Sequence, residues 1–286
     1  MRKHNAFTLI ELLVVISVIA LLMAILLPAL QRARKLAGAV VCQANLKQWG
    51  TTVALYTEDH QGRLPRDFLV GYSIWFLVGS VVSSDDPNVP ESLHPIDTKG
   101  IACCPMAVKP GRGHFTYRVS GEIRVEGWLG STFEAWEMTS PGPPFRCSYG
   151  LNDWLFHQHF RFDDSVPLHF RFRRHLREAG LDIFALRGRE KIPLLLDCTM
   201  PMARPDNVFE PPRHPGWGLG MAPFCINRHN GHVNGLFLDW SVRKIGLKEL
   251  WTLEWSRQFD TAGPWTKAGG ALPEDWPYWM RGFKDY

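Results

Sequence analysis

The sequence lacks the short motifs that mark the common classes of enzyme and metal-binding domain. It has no G-x-S-x-G nucleophile elbow, no H-E-x-x-H zinc-protease motif and no phosphate-binding P-loop. None of the cysteines forms a C-x-x-C pair, which argues against a zinc ribbon. A net charge of +4 over 286 residues is too small to indicate a nucleic-acid partner. These absences favour a protein that is not an enzyme and does not bind nucleic acid.

The N-terminal part contains one long apolar run. Residues 7–30 include 24 positions with a single charge, Glu11, which is enough to cross a bilayer core of about 30 Å as a helix. A signal peptide fits poorly, because its apolar region spans about 7–15 residues and ends at a small-residue cleavage site. A plain membrane anchor fits the length but leaves Glu11 unexplained, since a carboxylate at the bilayer centre costs about 2.5–3.5 kcal/mol on insertion scales.

The segment AFTLIELLVVISVIALLMAILLPAL resembles the N-terminal segment of type IV pilins and type II secretion pseudopilins. The resemblance implies that a prepilin peptidase cuts between Ala6 and Phe7 and that the new amino group of Phe7 is methylated. Ala6 departs from the usual glycine before the cut. Pro28 matches the family's helix-kinking proline. Glu11 falls at the family's glutamate and is expected to pair with the Phe7 amine of a neighbouring subunit; the alternative is an acid that reaches the membrane interface.

The helical pattern continues past the apolar run. Small and apolar residues recur at helical spacing up to Val53, and the turn residues of DHQGRLP end the pattern before Pro65. The predicted apolar stripe consists of Ala33, Leu36, Ala37, Val40, Val41, Ala44, Trp49 and Val53. We therefore predict one helix from Phe7 to about Glu58. The chain divides into a leader (1–6), a transmembrane or filament-core helix (7–30), a soluble helix half (31–60) and a globular head (61–286).

The head is predicted to be one α+β domain with an antiparallel sheet on the long helix, as in pilin-like folds. Five apolar runs predict strands: SIWFLVGSVV, EIRVEGWL, IPLLLDC, NGLFLDW and SVRKIGL. The last two form a hairpin, for which a type I turn with a bulge or a longer loop is expected because Trp240 does not favour positive φ. LKELWTLEWSRQF places its large apolar residues on one helical face, and a short helix is predicted over Leu168–Ala179.

Motifs along the head also resemble a group of bacterial pseudopilin-like proteins. The matching elements are C-x-x-N-L-K-Q from Cys42, the Cys104-Pro105 pair, SYGLN at Ser148–Asn152, LLLD ending at Asp197, and a His-x9-Asp-Gly-like pattern from His229 to Asp239. Trp240 stands where that group has glycine.

The resemblance marks four polar residues in the head, Asn152, Asp197, His229 and Asp239. A hydrogen-bond network that ties the hairpin to the core is the favoured interpretation, and a metal site of His229 with Asp197 or Asp239 is the other. Calcium is disfavoured, because it takes six to eight oxygen ligands and no EF-hand-like loop is present. No cofactor is expected.

The cysteines have two open interpretations. They are Cys42, Cys103, Cys104, Cys147, Cys198 and Cys225. In an exported chain an even number allows disulfides, with Cys103 or Cys104 joined to Cys42 or Cys147, and buried free thiols are the alternative.

The sequence thus predicts a structural subunit of a type II secretion or type IV pilus-like assembly. Its partners would be other subunits, the prepilin peptidase, the inner-membrane assembly platform and membrane lipid, with the head outside the bacterial inner membrane. The alternative is a singly anchored envelope protein with a partner- or glycan-binding head. Glycan binding would use the basic residues of RFRRHLR (Arg171, Arg173, Arg174, Arg177) or the tail tryptophans (Trp251, Trp255, Trp265, Trp276, Trp279), for which a solvated helix face and core packing are the alternatives.

Overall fold

The fold is built on one long helix. The structure, a computed structural model, describes residues 9–64, 100–119, 123–140, 145–155 and 183–286. Helix α1 runs Leu9–Asp59, which confirms the predicted helix to within one residue at its end. Gln61 and Gly62 with positive φ then turn the chain, and the Gly62 amide donates to the Thr57 carbonyl at 2.7 Å.

The two halves of α1 have different surroundings. Its large apolar side chains from Leu9 to Leu30 are 45–79% exposed, whereas burial begins at Ala39. The buried positions are Ala39, Cys42, Asn45, Leu46, Trp49, Gly50, Val53 and Thr57. The predicted stripe is wrong in its first part, since Leu36, Val40 and Val41 are exposed. The buried face follows Cys42 and Asn45 instead, because both make polar contacts inside the head.

The head contains nine strands in two sheets among the described residues. They are β1 (Gly113–Val119), β2 (Ile123–Leu129), β3 (Trp136–Ser140), β4 (Phe145–Cys147), β5 (Tyr149–Asn152), β6 (Pro193–Asp197), β7 (Met202–Ala203), β8 (His232–Phe237) and β9 (Val242–Gly246). The first four form an antiparallel sheet in chain order. The other five are ordered β7-β5-β6-β8-β9 and are antiparallel except for the β5–β7 pair. The predicted α+β class with antiparallel sheet is confirmed, and the described residues form two such sheets.

The five-stranded sheet is covered on both faces. Along β8, Leu236 packs in the core that contains α1, and its neighbour Phe237 packs in a second core formed with the C-terminal segment. Leu195 and Leu196 of β6 divide between the two cores in the same way. Successive side chains of a strand point to opposite faces, so a continuous apolar run such as that of β6 is typical of a doubly buried strand.

Helix α1 docks closely on β8. A Cβ added at Gly50 would lie 2.8 Å from Leu236 Cδ1, so the absence of a side chain permits this approach. The Trp49 indole nitrogen donates to the Ile101 carbonyl at 2.9 Å, and the Lys47 ammonium donates to the Trp240 carbonyl at 2.9 Å. The helix is therefore fixed to the head by packing and by polar contacts at its rim.

The β8–β9 hairpin is closed by a hydrogen bond between Phe237 and Ser241, which leaves residues 238–240 as a three-residue loop. The Phe237 amide donates to the Ser241 carbonyl at 3.0 Å, and the Trp240 amide donates to the Phe237 carbonyl at 2.9 Å. Trp240 adopts φ 66°, the left-handed position at which a type I turn with a bulge normally has glycine. The bulged turn is present, but the reason given for it is wrong, because Trp240 itself takes the positive φ that glycine favours.

The predicted helix in LKELWTLEWSRQF is wrong. Only Lys248–Thr252 form a helix, of the 3₁₀ type, and Leu253 is extended with ψ 150°. The chain leaves the helical path because the Glu254 amide donates to the Lys191 carbonyl at 3.1 Å. Leu250, Trp251 and Trp255 are nevertheless buried. The spacing of the apolar residues therefore indicated correctly which residues are buried, but it did not indicate a helix.

Some fold predictions lie outside the described residues. They concern the strand SIWFLVGSVV, the helix Leu168–Ala179 and Pro65.

The docking of α1 predicts a large cost for Trp49→Ala. Trp49 is fully buried, and truncation would leave a cavity and an unpaired Ile101 carbonyl, so we expect a loss of about 3–5 kcal/mol in the free energy of unfolding of the head. Denaturant titration of the full chain in detergent, followed by near-ultraviolet circular dichroism, measures it. Leu55→Ala is the control, since Leu55 is 62% exposed on the same helix and should change stability by about 0.5 kcal/mol or less. Equal effects of the two variants would contradict the docking.

Candidate functional site

Four reactive side chains from distant parts of the chain meet beside the docked half of α1. They are Cys42 of α1, Cys104 in the loop before β1, Asp197 at the end of β6 and His229 in the loop before β8. Their sulfur, oxygen and nitrogen atoms all lie within 4.8 Å of one another, and all four residues are buried. We call this group the Cys–Asp–His cluster.

Asp197 lies at the centre of the cluster and is fully buried with Arg228. Arg228 Nη1 donates to Asp197 Oδ1 at 2.9 Å, and both side chains have 0% exposure. The guanidinium also donates to the carbonyls of Thr132, Ser148, Ser131 and Cys198. A buried ion pair of this kind is tolerated because the remaining donors of the arginine are satisfied.

The surroundings of Asp197 hold it in the ionised form. Burial alone would raise the pKa of this carboxyl, but the charge of Arg228 and hydrogen bonds from His229 and the Asn234 amide outweigh burial, and the pKa is lowered. The backbone amide of Asn234 donates to Asp197 Oδ2 at 2.8 Å. A carboxylate is therefore fixed in position, with Oδ2 directed to the cluster.

His229 is placed by a tight loop. Asn230 and Gly231 have positive φ, and Asn227 Oδ1 accepts a hydrogen bond from the Gly231 amide at 2.6 Å. His229 Nε2 lies 3.1 Å from Asp197 Oδ2 and 3.5 Å from Cys104 Sγ. Although burial lowers the pKa of His229, its bonds to Asp197 and Cys104 raise that pKa to about 9. Nδ1 is buried and has no hydrogen-bond partner among the described residues, so the ring is held through Nε2.

The two cysteines of the cluster differ in their surroundings. Burial raises the pKa of Cys42, whose sulfur lies 3.6 Å from Asp197 Oδ1 and accepts from the Tyr149 hydroxyl at 3.4 Å. A hydrogen bond from Cys42 and one from His229 lower the pKa of Cys104 to about 6 against the effect of burial. The Cys104 amide donates to Ser148 Oγ at 2.6 Å, which fixes this residue in its loop.

Asn152 and Asp239 do not belong to the cluster. Asn152 Nδ2 donates to the carbonyls of Pro193 and Trp255, both at 3.0 Å, at the end of the β5–β6 pair opposite to Asp197. Asp239 Oδ1 accepts from the Ser241 amide and hydroxyl in the β8–β9 turn. His229 and Asp239 therefore lie beyond opposite ends of β8. Of the two predicted combinations, Asp197 with His229 is the one that the fold brings together.

All six cysteines lie in the described part of the chain, and all are free thiols. None of the predicted disulfides is formed in this structure. Cys104 nevertheless lies beside Cys42, as one predicted pairing requires, while Cys103 donates to the Arg146 carbonyl at 3.8 Å. Cys147, Cys198 and Cys225 are buried elsewhere in the head.

Sequence reasoning missed that Cys42, Cys104 and Arg228 belong with Asp197 and His229. Each of the four cluster residues sits in a separate motif noted in the sequence, and Arg228 directly precedes His229. Nothing in the local spacing relates these motifs, because Cys42 and Asp197 are 155 positions apart.

The residues predicted for glycan binding give little support to that use. Trp251, Trp255 and Trp276 are buried, and Trp265 and Trp279 are partly buried against other aromatic rings. Stacking on a sugar needs an exposed ring face. The basic residues Arg171, Arg173, Arg174 and Arg177 lie outside the described residues.

The N-terminal half of α1 is a second candidate site. Within the described part of the chain, α1 is the one helix long and apolar enough to cross a membrane, and none of its most apolar window is buried in the head. Glu11 lies in the first turn of α1, within this exposed half. Ala6 and Phe7, where cleavage is predicted, precede the described residues.

Comparison with known proteins gives one match. The family model of the prokaryotic N-terminal methylation motif matches residues 1–27. No curated protein and no solved structure gives a significant match to the chain. The motif supports a type IV pilin-like, prepilin-type protein and favours a structural subunit over an enzyme. It covers the N-terminal residues alone, so the resemblance of the head to pseudopilins remains a prediction.

The buried ion pair predicts that Arg228→Met is strongly destabilising. The variant keeps most of the side-chain volume but removes the permanent charge beside Asp197 and leaves only weaker partners to this buried carboxylate, so we expect a loss of about 3–5 kcal/mol in unfolding free energy, measured by denaturant titration. Arg146→Met is the control, because Arg146 and Glu137 are also 2.9 Å apart but Arg146 is 40% exposed, and a loss of about 1 kcal/mol or less is expected.

Adding Asp197→Asn to Arg228→Met should recover part of the lost stability, because the uncompensated charge is removed. Failure of this second change to recover any stability, or equal losses from both arginine variants, would contradict the importance of the buried charge pair.

Proposed function

We propose that this protein is a structural subunit of a type II secretion or type IV pilus-like assembly. It would be inserted in the bacterial inner membrane with its head outside, cut between Ala6 and Phe7 by a prepilin peptidase, and methylated on Phe7. Other subunits and the inner-membrane assembly platform would be its partners. The match to the N-terminal methylation motif supports the first steps, and the exposed half of α1 supports assembly.

The division of α1 into an exposed apolar half and a half buried in the head is the observation that carries this proposal. From Leu9 to Leu30 the helix presents apolar side chains around its whole circumference, with no cover from the described residues of its own head. Such a surface needs lipid or other apolar helices around it. The same helix continues into the head, so one continuous helix joins the apolar half to the head, as a subunit drawn from a membrane into a filament would require.

Glu11 separates a subunit from a simple anchor. A carboxylate in this surface is costly in lipid and in a packed helix bundle unless a cation lies beside it. After cleavage at Ala6, the amino group of Phe7 would supply that cation from a neighbouring subunit. The pair would set the register between adjacent helices, since one register alone brings the two opposite charges together.

The alternative is a singly anchored envelope protein with a glycan-binding head, in which the same helix serves only as a membrane anchor. It needs no neighbouring cation for Glu11 and no cleavage before Phe7. The burial of Trp251, Trp255 and Trp276 argues against a stacking platform in the tail, so we do not favour it.

Replacement of Glu11 by glutamine tests assembly. Glu11→Gln keeps size and removes charge, so we expect membrane insertion to be unchanged and incorporation into filaments or multimers to fall by roughly tenfold or more, equivalent to about 1.4 kcal/mol. Cross-linking in cells and sedimentation of sheared filaments measure incorporation. Ser17→Ala is the control: Ser17 lies on the same exposed helix half and bonds its own helix at Val14, so assembly should be unaffected. Normal incorporation of Glu11→Gln would refute the assembly role and leave the anchor.

A further inference from the structure

We infer that the Cys–Asp–His cluster is a structural binding site for a divalent transition-metal ion of the zinc class. The ligands would be Cys42 Sγ, Cys104 Sγ, Asp197 Oδ2 and His229 Nε2. Sulfur, imidazole nitrogen and carboxylate oxygen are the atoms that Zn²⁺ binds in proteins, and four protein ligands without an open position are typical of structural sites. This inference is independent of the proposed assembly role.

The separations of these atoms fit a tetrahedral ion. Metal–ligand bonds of about 2.3 Å to sulfur and about 2.0–2.2 Å to nitrogen and oxygen place sulfur about 3.5 Å from nitrogen or oxygen, and nitrogen about 3.3 Å from oxygen. In the cluster, Cys104 Sγ is 3.5 Å from His229 Nε2, and Cys42 Sγ is 3.7 Å from Asp197 Oδ2. His229 Nε2 is 3.1 Å from Asp197 Oδ2. The remaining pairs of ligand atoms also lie within 4.8 Å of each other, so small movements would bring all four to tetrahedral distances.

The charges of the site also balance. Two thiolates and a neutral imidazole together offset the double positive charge of a divalent ion, and the protons that these ligands held in the metal-free site leave to solvent. Asp197 and Arg228 already neutralise each other. Metal binding therefore adds no net charge to a fully buried site, which avoids the large cost of an uncompensated charge in the interior.

The residues around the ligands hold them in place without the ion. Asp197 Oδ1 is occupied by Arg228, which leaves Oδ2 for the cluster, and the Asn234 amide fixes the plane of the carboxylate. Ser148 fixes the backbone at Cys104, and the Tyr149 hydroxyl contacts Cys42 Sγ. Such outer contacts orient ligands in known metal sites.

The position of the site gives the ion a structural role. It would join α1, the loop before β1, the end of β6 and the loop before β8, which are four segments remote from one another along the chain. Because the unfolded chain has no such preformed site, binding energy would add to folding energy and would fasten the helix to the head.

Metal content of the purified full chain tests the inference. The chain is expressed with zinc in the medium, purified in detergent without chelator, and analysed by plasma mass spectrometry, where about one zinc ion per chain is expected. Cys104→Ser should lower this ratio by at least about tenfold, because a serine hydroxyl is a poor zinc ligand. Cys103→Ser is the matched control, since Cys103 is the adjacent thiol and bonds Arg146 outside the cluster, and it should keep the ion. Absence of zinc from the wild type, or equal loss in both variants, would overturn the inference.

Two measurements on the wild type keep the inference testable if Cys104→Ser does not fold. Chelator-stripped protein reloaded with Co²⁺ should show thiolate-to-cobalt charge-transfer absorption, and its absence would overturn the site. Alkylation of the unfolded, unreduced chain should label both Cys42 and Cys104. Recovery of a Cys42–Cys104 disulfide would show instead that the two sulfurs are held together by oxidation.

Discussion

The structure depends on one constraint, which is that a single continuous helix must suit two different surroundings. From Leu9 to Leu30, α1 exposes apolar side chains on all sides, and from Ala39 onward one narrow face is buried in the head. The close approach at Gly50 and the buried ring of Trp49 make the second half part of the core. The head is thereby fixed to a rod that requires lipid or other helices around its first half. A pilin-like, prepilin-type protein has this organisation, and the N-terminal methylation motif supports the same conclusion.

The polar interior of the head lies where this helix meets the sheet. Arg228 and Asp197 form a fully buried pair, and Cys42 brings α1 into contact with Asp197. A buried charge is costly unless every partner is in place, so the cluster favours one arrangement of helix, strand and loops over all others. A metal ion in the same place would act in the same direction. The exposed half of α1 and the Cys–Asp–His cluster are thus separate features that are linked through Cys42 of the same helix, and neither proposal depends on the other.

Local patterns predicted the parts of the fold that local interactions determine. The helix end near Asp59 follows from the turn residues, whereas the positive φ of Trp240 in the β8–β9 turn was not expected from its residue type. The helical pattern failed at Leu253, because the amide of the next residue, Glu254, donates to the carbonyl of Lys191 far away in the sequence. It also failed at Val40 and Val41, because the tertiary contacts of Cys42 bury another face of α1. Asp197 and His229 were marked in the sequence, but their meeting with Cys42 and Cys104 follows from strand order and helix docking, which no short motif encodes.

The mature N-terminus tests the central account most directly. Mass spectrometry of the protein from cells with an active prepilin peptidase should find a chain that begins at Phe7 with a methylated amino group. This amino group is the cation that our proposal pairs with Glu11, the fifth residue of the mature chain, on an adjoining helix. A chain that still begins at Met1 in those cells would contradict processing. It would also remove the Phe7 amino group from the proposed contact between subunits.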